Sequence, residues 1–217
     1  MYIPAANQVR EQEQIDAFID AYGFATLITE KDGAPWASHL PVLLDKSGES
    51  RRTLRSHMAR ANEQWRHFTP DREVLCIFHG PHSYITPTWY EMQHTVPTWN
   101  YAVVHVYGIA RVVSEAGVLK QIVYDTTVKH ESRLSNPWKI PLSEGEIDQM
   151  LGAVVGFSVE VTRVEAKFKL GQNRSKEDQA GMVRGLQASP ESGSQELAKF
   201  ILAQPEPQSE EKVKLWP

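Results

Sequence analysis

Residues 24–44 read FATLITEKDGAPWASHLPVLL, and this segment carries the clearest structural signal in the chain. Residues 24–29 are rich in β-branched and aromatic side chains, which is typical of a strand. The pair Asp32-Gly33 then supplies residue types that tolerate the positive φ of a tight hairpin turn. Residues 35–44 have the composition of a second strand. The segment therefore predicts two neighbouring antiparallel strands.

Strand signals continue after this hairpin. A polar turn at residues 45–50 leads into four more segments with strand-like composition: residues 52–57, 73–79, 101–113 and 155–168. Gly108 lies within one of them and indicates a bulge or a close approach of two backbones. So many antiparallel strands predict a closed or half-closed barrel, in a mainly β protein of the α+β class with peripheral helices.

Helices are predicted where apolar residues recur at helical spacing, at residues 11–22, 117–129 and 147–153. Gly23 follows the first helix, at a position where a left-handed helix end favours glycine. Two surface helices are predicted after Arg174, at residues 176–186 and 195–203. We expect one domain at residues 1–187, followed by a C-terminal helix and polar tail at residues 188–217. The end of that tail is expected to lack order unless Leu215 and Trp216 dock.

The charge balance argues against a general nucleic-acid binder. The 217 residues include 23 Lys and Arg against 27 Asp and Glu, a formal net charge of −4. Binding to a phosphate backbone favours clustered basic residues, and the sequence contains no helix-turn-helix pattern. We therefore expect no direct contact with nucleic acid.

The single cysteine and the hydropathy pattern bear on location. Cys76 lies in an apolar run and has no second cysteine to pair with, which favours a reducing compartment. No apolar stretch approaches the roughly 18 residues of a membrane span, and residues 1–4 do not resemble a signal peptide. The sequence therefore predicts a cytoplasmic protein without a membrane partner.

Five segments combine histidine, arginine, amide and aromatic side chains in a way that core packing does not require: residues 36–41, 57–62, 79–90, 96–101 and 167–174. The last of them follows directly after a hydrophobic strand, where a chain emerges at a barrel rim. Trp89 and Trp99 stand among Pro and Thr rather than in apolar runs, which suits stacking on a flat heteroaromatic ligand. Each Trp on its own also fits a core or interface role. Together the segments predict a polar and aromatic pocket.

The junction after residue 57 has the chemistry of a phosphate site. A strand ends at Ser56-His57, and a short helix is predicted to begin at residues 59–62. Free backbone N–H groups at such a junction, together with the guanidinium of Arg60, suit a phosphate. The same residues also fit a purely structural role, with Ser56 as a helix cap and Arg60 as a solvated charge. Both interpretations stay open from this segment alone.

The histidines do not predict a metal site. His79 and His82 are separated by Gly-Pro, which makes a turn, and the segment has no Cys partner. A hydrolase triad is disfavoured too, since the sequence contains no Gly-x-Ser-x-Gly nucleophile elbow.

Eight ordered motifs extend the pattern from residue 1 to the region of residue 187: MYIP (1–4), FATL (24–27), SHLP (38–41), HMARAN followed by QW (57–65), IFHGPHSYI (77–85), WY (89–90), VPTWNY (96–101) and QNR (172–174). In this combination the chain resembles the PaiB-like family of FMN-binding proteins, which are labelled negative transcriptional regulators. The resemblance implies the split β-barrel of pyridoxamine-phosphate-oxidase-like flavoproteins. It also implies a homodimer with FMN at the interface between the two chains.

The resemblance assigns roles to thirteen residues of this sequence. Along the flavin it places Ser38, His39 and Leu40, and around the phosphate it places Ser56, His57, Arg60 and Asn62. Near the ring system, from one chain or its partner, it places Trp99 and Asn100. At the rim of the pocket it places Lys169, Gln172, Asn173 and Arg174.

Three functions fit this site. The first is a homodimeric FMN-binding regulator that acts indirectly, through a partner protein or through the state of its flavin. The second is an FMN-dependent oxidoreductase acting on a small molecule, with His39, His57 or Tyr101 as proton donors near the ring. The third is a haem-binding split-barrel protein, which uses one of several available histidines as the axial ligand. The phosphate-type junction favours FMN over haem.

Overall fold

The computed structural model describes residues 1–48, 51–92 and 94–205. Eight strands are present in these ranges: β1 (Gln8–Val9), β2 (Phe24–Lys31), β3 (Ala34–Pro41), β4 (Leu43–Ser47), β5 (Arg51–Ala59), β6 (Glu73–Ile85), β7 (Thr98–Val112) and β8 (Val154–Lys169). They form one sheet in the order β3-β2-β6-β7-β8-β5-β4, and β1 pairs with β8. This confirms the mainly β, antiparallel split-barrel fold. Because β3 and β4 are the two edge strands of this sheet, the barrel is not closed.

Five α-helices accompany the sheet in the described ranges: α1 (Gln12–Ala21), α2 (Ala116–Glu131), α3 (Glu144–Leu151), α4 (Lys176–Ala188) and α5 (Ser192–Leu202). Short 3-10 helices are formed by Ala5–Asn7, Glu63–His67 and Pro87–Trp89. No helix within the described ranges has both the length and the apolar character needed to cross a membrane. The predicted helices are thus all present, with ends shifted by a few residues. The part of the predicted tail beyond residue 205 lies outside the described residues.

The chain forms two compact units. The first unit contains residues 1–80 and 103–167, and the second contains residues 81–102 and those from 168 onward. Strands β6, β7 and β8 each contribute residues to both units. The first unit buries a core of Leu27, Leu54, Met58, Phe78, Val104 and Phe157, and the second buries Ile85, Met182, Leu186 and Leu197. The expected boundary at residue 187 stays a prediction.

The β2–β3 hairpin forms as predicted. Asp32 and Gly33 have φ values of 54° and 78°, so the turn requires residues that tolerate the left-handed region. The predicted second strand of this hairpin is interrupted, however. β3 ends at Pro41, and β4 begins at Leu43 and pairs with β5 instead of β2. Because the chain changes partners at this point, one apolar run becomes two strands.

Gly23 and Gly108 both allow close backbone approaches. Gly23 does not have positive φ, so the predicted left-handed helix end is wrong. A Cβ at this position would lie 3.0 Å from the carbonyl oxygen of Val42, whose N–H donates to the carbonyl of Gly23. A Cβ on Gly108 would lie only 2.3 Å from the carbonyl oxygen of Glu160, which confirms the predicted close approach.

Candidate functional site

The strand-to-helix junction begins later than the sequence predicted. β5 continues to Ala59, which pairs with Val154, and the following 3-10 helix begins only at Glu63. Asn62 caps that helix, because its side chain accepts a hydrogen bond from the backbone N–H of Gln64 at 3.1 Å. The helix has five residues, so its N-terminus is too short to form a phosphate site by itself.

Side chains nevertheless converge beside this junction. The Asn62 amide nitrogen donates to the hydroxyl of Ser38 at 2.8 Å, which joins β3 to the end of β5. Both residues are half-buried. Ser38 therefore presents a hydroxyl, and Asn62 an amide, at a partly open surface of the first unit.

Arg60 lies two residues before Asn62 and is exposed. Its guanidinium donates to the carbonyl oxygens of Gly152 at 2.7 Å and Val154 at 2.8 Å. These bonds involve two of the five N–H groups of an arginine, and they hold the planar fork in one orientation. The same side chain can therefore hold the carbonyls and still donate to an anion.

Gln64 supports this region, although its sequence context predicts no role for it. It is fully buried, and its side-chain nitrogen donates to the carbonyls of Leu27 and Trp36, at 3.0 and 3.1 Å. It also lies 3.2 Å from the hydroxyl of Thr29. These bonds fasten the 3-10 helix to the β2–β3 hairpin. The only sequence signal for Gln64 is a polar residue inside the HMARANEQW motif, and this signal does not distinguish burial from exposure.

Ser56 and His57 point to opposite faces of β5, as successive strand residues do. Ser56 is fully buried and donates to the carbonyl of Pro41 at 2.6 Å, so it does not cap the following helix. His57 shares its face with Arg55, which donates to Asp125 of α2 at 3.0 Å. The imidazole Nδ1 of His57 is buried and has no partner among the described residues. Burial lowers the pKa of His57, which favours the neutral ring.

His39 and Leu40 also separate across a strand. Ser38 and Leu40 lie on one face of β3, whereas His39 lies on the other. The His39 Nδ1 atom lies 3.0 Å from the hydroxyl of Thr26, and its ring centroid lies 6.4 Å from that of Phe24. His39 therefore contacts a different surface from the one that Ser38 shares with Asn62.

In the second unit, Trp99 is exposed and stands in a group of aromatic side chains. Its ring centroid lies 5.8 Å from that of His82 and 6.2 Å from that of Tyr84. The ammonium group of Lys169 donates to the carbonyl of Trp99 at 2.7 Å and also to the hydroxyl of Thr98. Lys169 and Trp99 are therefore joined by a contact between a side chain and the backbone, while the roles assigned to them by resemblance stay predictions.

The remaining residues predicted in the second unit make mostly internal contacts. Asn100 is buried, and its amide nitrogen lies 3.2 Å from the sulfur of Met182. Gln172 accepts from the backbone N–H of Leu170 at 2.8 Å. Arg174 donates to the hydroxyl of Thr95 at 2.8 Å and lies over the ring of Tyr90. Asn173 is exposed.

Comparison with known proteins places these residues in context. A family model described as "Putative FMN-binding domain" matches residues 1–163. The chain is 34% identical over 203 residues to the protease synthase and sporulation protein PAI 2 of Bacillus subtilis, covering 93% of this chain and 96% of that protein. Lys169 and residues 172–174 lie beyond the part matched by the family model.

Solved structures share the fold at low sequence identity. A conserved hypothetical protein from Mycobacterium tuberculosis superposes with a TM-score of 0.56 and 16% identity, over 81% of this chain and 94% of that one. A flavocytochrome from Azotobacter vinelandii superposes with a TM-score of 0.54 and 15% identity, over 82% and 80% of the two chains. At these identities the similarity shows the fold alone.

Proposed function

The chain belongs to this family of FMN-binding domains, and on that premise we propose that it is a homodimeric FMN-binding protein with a regulatory role exerted without DNA contacts of its own. FMN is the cofactor that family membership assigns to it. When bound, FMN supplies hydride and electron-transfer chemistry.

The contact between Asn62 and Ser38 carries the proposal. It places an amide and a hydroxyl next to each other at a half-buried surface. Arg60 precedes Asn62 by two residues in the chain, and its guanidinium is held by the carbonyls of Gly152 and Val154. Amide, hydroxyl and guanidinium donors are the groups that bind phosphate oxygens, and a guanidinium adds a charge-assisted bond. These three side chains therefore fit the phosphate of FMN.

Other residues enter the proposal with narrower roles. Leu40 lies on the same face of β3 as Ser38 and would supply apolar surface next to the phosphate of FMN. Ser56 is buried and its hydroxyl donates to the carbonyl of Pro41, so we propose that Ser56 stabilises the connection between β3 and β4. The flavin contacts assigned by resemblance to Trp99, Asn100, Lys169, Gln172, Asn173 and Arg174 stay predictions. So do those of His39 and His57.

The regulatory part of the proposal draws on the Bacillus relative, whose name refers to protease synthesis and sporulation. The net charge of −4 supports an indirect route, because a DNA-contacting regulator gains its affinity from clustered positive charge. We infer a cytoplasmic protein that acts through another macromolecule. Its partner would respond to the presence or redox state of the flavin.

The experiment is a titration of purified protein with FMN, followed by visible absorption and by gel filtration with light scattering. We expect flavin to co-elute with a species of twice the chain mass. A random DNA duplex at low salt should show no change in fluorescence anisotropy. Flavin that stays with the small-molecule fraction would contradict the cofactor assignment, a monomer would contradict the dimer, and salt-dependent DNA binding would contradict the indirect route.

The same preparation separates the two alternatives. Rapid bleaching of bound flavin by NAD(P)H, with turnover of an added acceptor, would favour the oxidoreductase. A Soret band that appears on addition of haem and excludes FMN would favour the haem-binding protein. Retained flavin without turnover would favour the regulator.

A further inference from the structure

A cleft of about 530 Å³ lies in the first unit, on the face of β3 that carries His39. The C-terminal end of α1 and the C-terminal end of α2 border it, and β2, β3 and β6 contribute side chains. Its volume is in the range of about 300 to 1,000 Å³ that small-molecule sites occupy. Ser38, Arg60 and Asn62, the side chains that would hold the phosphate of FMN, do not line this cleft. Ser38 lies on the opposite face of β3.

The charged and ionisable groups of the cleft are predominantly basic. Its lining includes Lys129 and Arg133, three histidines (His39, His79 and His130) and one acid, Asp20. Asp20 is paired with Lys129 at 3.3 Å, so the only carboxylate of the lining is already matched. Counting only Lys, Arg and Asp, the two cations and one anion give the lining a net charge of +1, although the whole chain carries −4.

The end of α2 explains only part of this lining. Lys129 and His130 lie in the last turn of α2, where cations interact favourably with the helix dipole. His39 comes from β3 and His79 from β6, and Arg133 follows α2 in the turn after it. Both cations therefore come from the end of α2, whereas His39 and His79 bring ionisable side chains from two strands to the same space, which stabilisation of a helix terminus does not account for.

The cleft also has an aromatic wall. Phe24 is 65% exposed although it begins a strand, and its ring is inclined by only 28° to that of His39. The two rings are 6.4 Å apart and nearly parallel, an arrangement that offers stacking area to a flat ligand. With Nδ1 of His39 next to the Thr26 hydroxyl, the second ring nitrogen, Nε2, is the one available for a ligand when it carries a proton.

We propose that this cleft is a second ligand site, distinct from the side chains that would hold the phosphate of FMN, and that it binds a small planar aromatic carboxylate. His39 is thereby assigned to this second ligand in place of the flavin contact expected from the family resemblance. The carboxylate pairs with Arg133, whose planar fork matches a carboxylate in a bidentate geometry. The aromatic part packs against Phe24 and His39. Such a ligand would give the protein an effector other than its flavin.

The test is isothermal titration calorimetry with 2-naphthoate, compared with its neutral analogue 2-naphthamide. We expect the acid to bind and the amide to bind at least about ten-fold more weakly, because only the acid makes a charge-assisted pair. Arg133→Ala should weaken 2-naphthoate binding by about ten-fold or more. Phe24→Ala should weaken binding of the acid and the amide alike. Arg10→Ala is the matched control, since Arg10 is exposed and its side chain hydrogen-bonds only to the side chain of Gln8 among the described residues.

Three outcomes would overturn the proposal. The first is wild-type protein that does not bind 2-naphthoate, and the second is an Arg133→Ala variant that melts like the wild type and binds 2-naphthoate equally well. The third is competition: if FMN displaces 2-naphthoate, the cleft belongs to the flavin site and is not a second site. If the protein binds 2-naphthoate but not FMN, the second ligand site is supported and the proposed FMN-binding function is contradicted. Failure of one proposal can therefore be told apart from failure of the other.

Discussion

At the level of single side chains, Arg60 combines two roles. Its hydrogen bonds to the carbonyls of Gly152 and Val154 fix the guanidinium, and its remaining N–H groups can reach an anion. A fixed cation binds a phosphate with less loss of side-chain entropy than a mobile one. The position of Arg60 therefore matters as much as its charge.

We expect Arg60→Ala to weaken FMN binding by about 1.5–3 kcal/mol, the usual contribution of a hydrogen bond to a charged group. Arg60→Lys should lie between this variant and the wild type, because the charge remains while the fork is lost. Quenching of FMN fluorescence on titration measures the affinity. Arg66→Ala serves as a control, since Arg66 is exposed and pairs with Glu63. Equal affinities for Arg60→Ala and wild type would contradict the phosphate assignment.

Gln64 is a second residue whose role depends on its surroundings. Gln64→Leu keeps the side-chain size but leaves the carbonyls of Leu27 and Trp36 without this buried donor. We expect the free energy of unfolding to fall by about 1–3 kcal/mol. Urea denaturation of the flavin-free protein measures it. Gln121→Leu changes an exposed glutamine that bonds to Asp125, and should stay within about 0.5 kcal/mol of wild type. A Gln64→Leu variant as stable as this control would show that the buried bonds contribute nothing net.

At the level of strands and helices, the spacing between backbones limits which residues the sheet accepts. A Cβ at Gly108 would overlap the carbonyl oxygen of Glu160 and a methyl group of Val159. The nearest obstruction is backbone, which cannot rotate away, so the two strands would have to separate. Glycine at this position is therefore a packing requirement, although its φ is accessible to any residue.

Gly108→Ala should lower the free energy of unfolding by about 1–3 kcal/mol or more, as overpacking does. Gly117→Ala is the contrasting control in α2, where a new Cβ meets nothing within 4 Å. There the exchange should raise stability by up to about 1 kcal/mol, since alanine favours the helix. Chemical denaturation of both variants checks the pair. A Gly108→Ala variant at least as stable as wild type would mean that the strands separate at no cost.

For the protein as a whole, stability should fall as the solution becomes acidic. Burial lowers the pKa of His57, and burial is also the main reason why the pKa of His67 and His105 is lowered. A histidine with a lowered folded pKa takes up its proton more readily when the chain unfolds. Its contribution is therefore complete above the unfolded value of about 6.5 and is lost as the pH falls towards the folded value.

Asp16 continues the same trend at lower pH. Burial opposes its ionisation, but hydrogen bonds from Arg52 and Gln12 and the charges of Arg52 and Lys46 outweigh burial, so the pKa of Asp16 is lowered overall. A carboxylate with a lowered folded pKa stabilises the fold above its unfolded pKa, and this contribution is lost as the pH falls through the folded value. Acid should thus remove the histidine contributions first and that of Asp16 afterwards.

Urea denaturation of the flavin-free protein between about pH 7.5 and 5.5 checks the histidine part, in the window set by imidazole titration. The wild type should lose stability across this range, and His57→Gln should lose less, because it has one fewer imidazole to protonate on unfolding. Asp16→Asn should keep the wild-type slope in this window, since Asp16 titrates below it. Parallel slopes for the wild type and His57→Gln would contradict the role of His57.

The sequence by itself determined the features that depend on neighbouring residues. The Asp32-Gly33 turn, the strands on either side of it and the helical periodicity of α1 and α2 all follow from interactions over a few residues. The family resemblance likewise depends on ordered motifs, and both the FMN-binding family and the antiparallel split-barrel fold were predictable from it.

Only the tertiary structure decided which side chains meet. Ser38 and His39 are adjacent in sequence, yet Ser38 meets Asn62 while His39 faces the basic cleft. The change of partner strand after Pro41, the extension of β5 to Ala59 and the burial of Gln64 were equally absent from the local pattern. The physical reason is that side-chain direction in a sheet follows from register and from where each strand ends. Both are set by pairing between segments far apart in the chain.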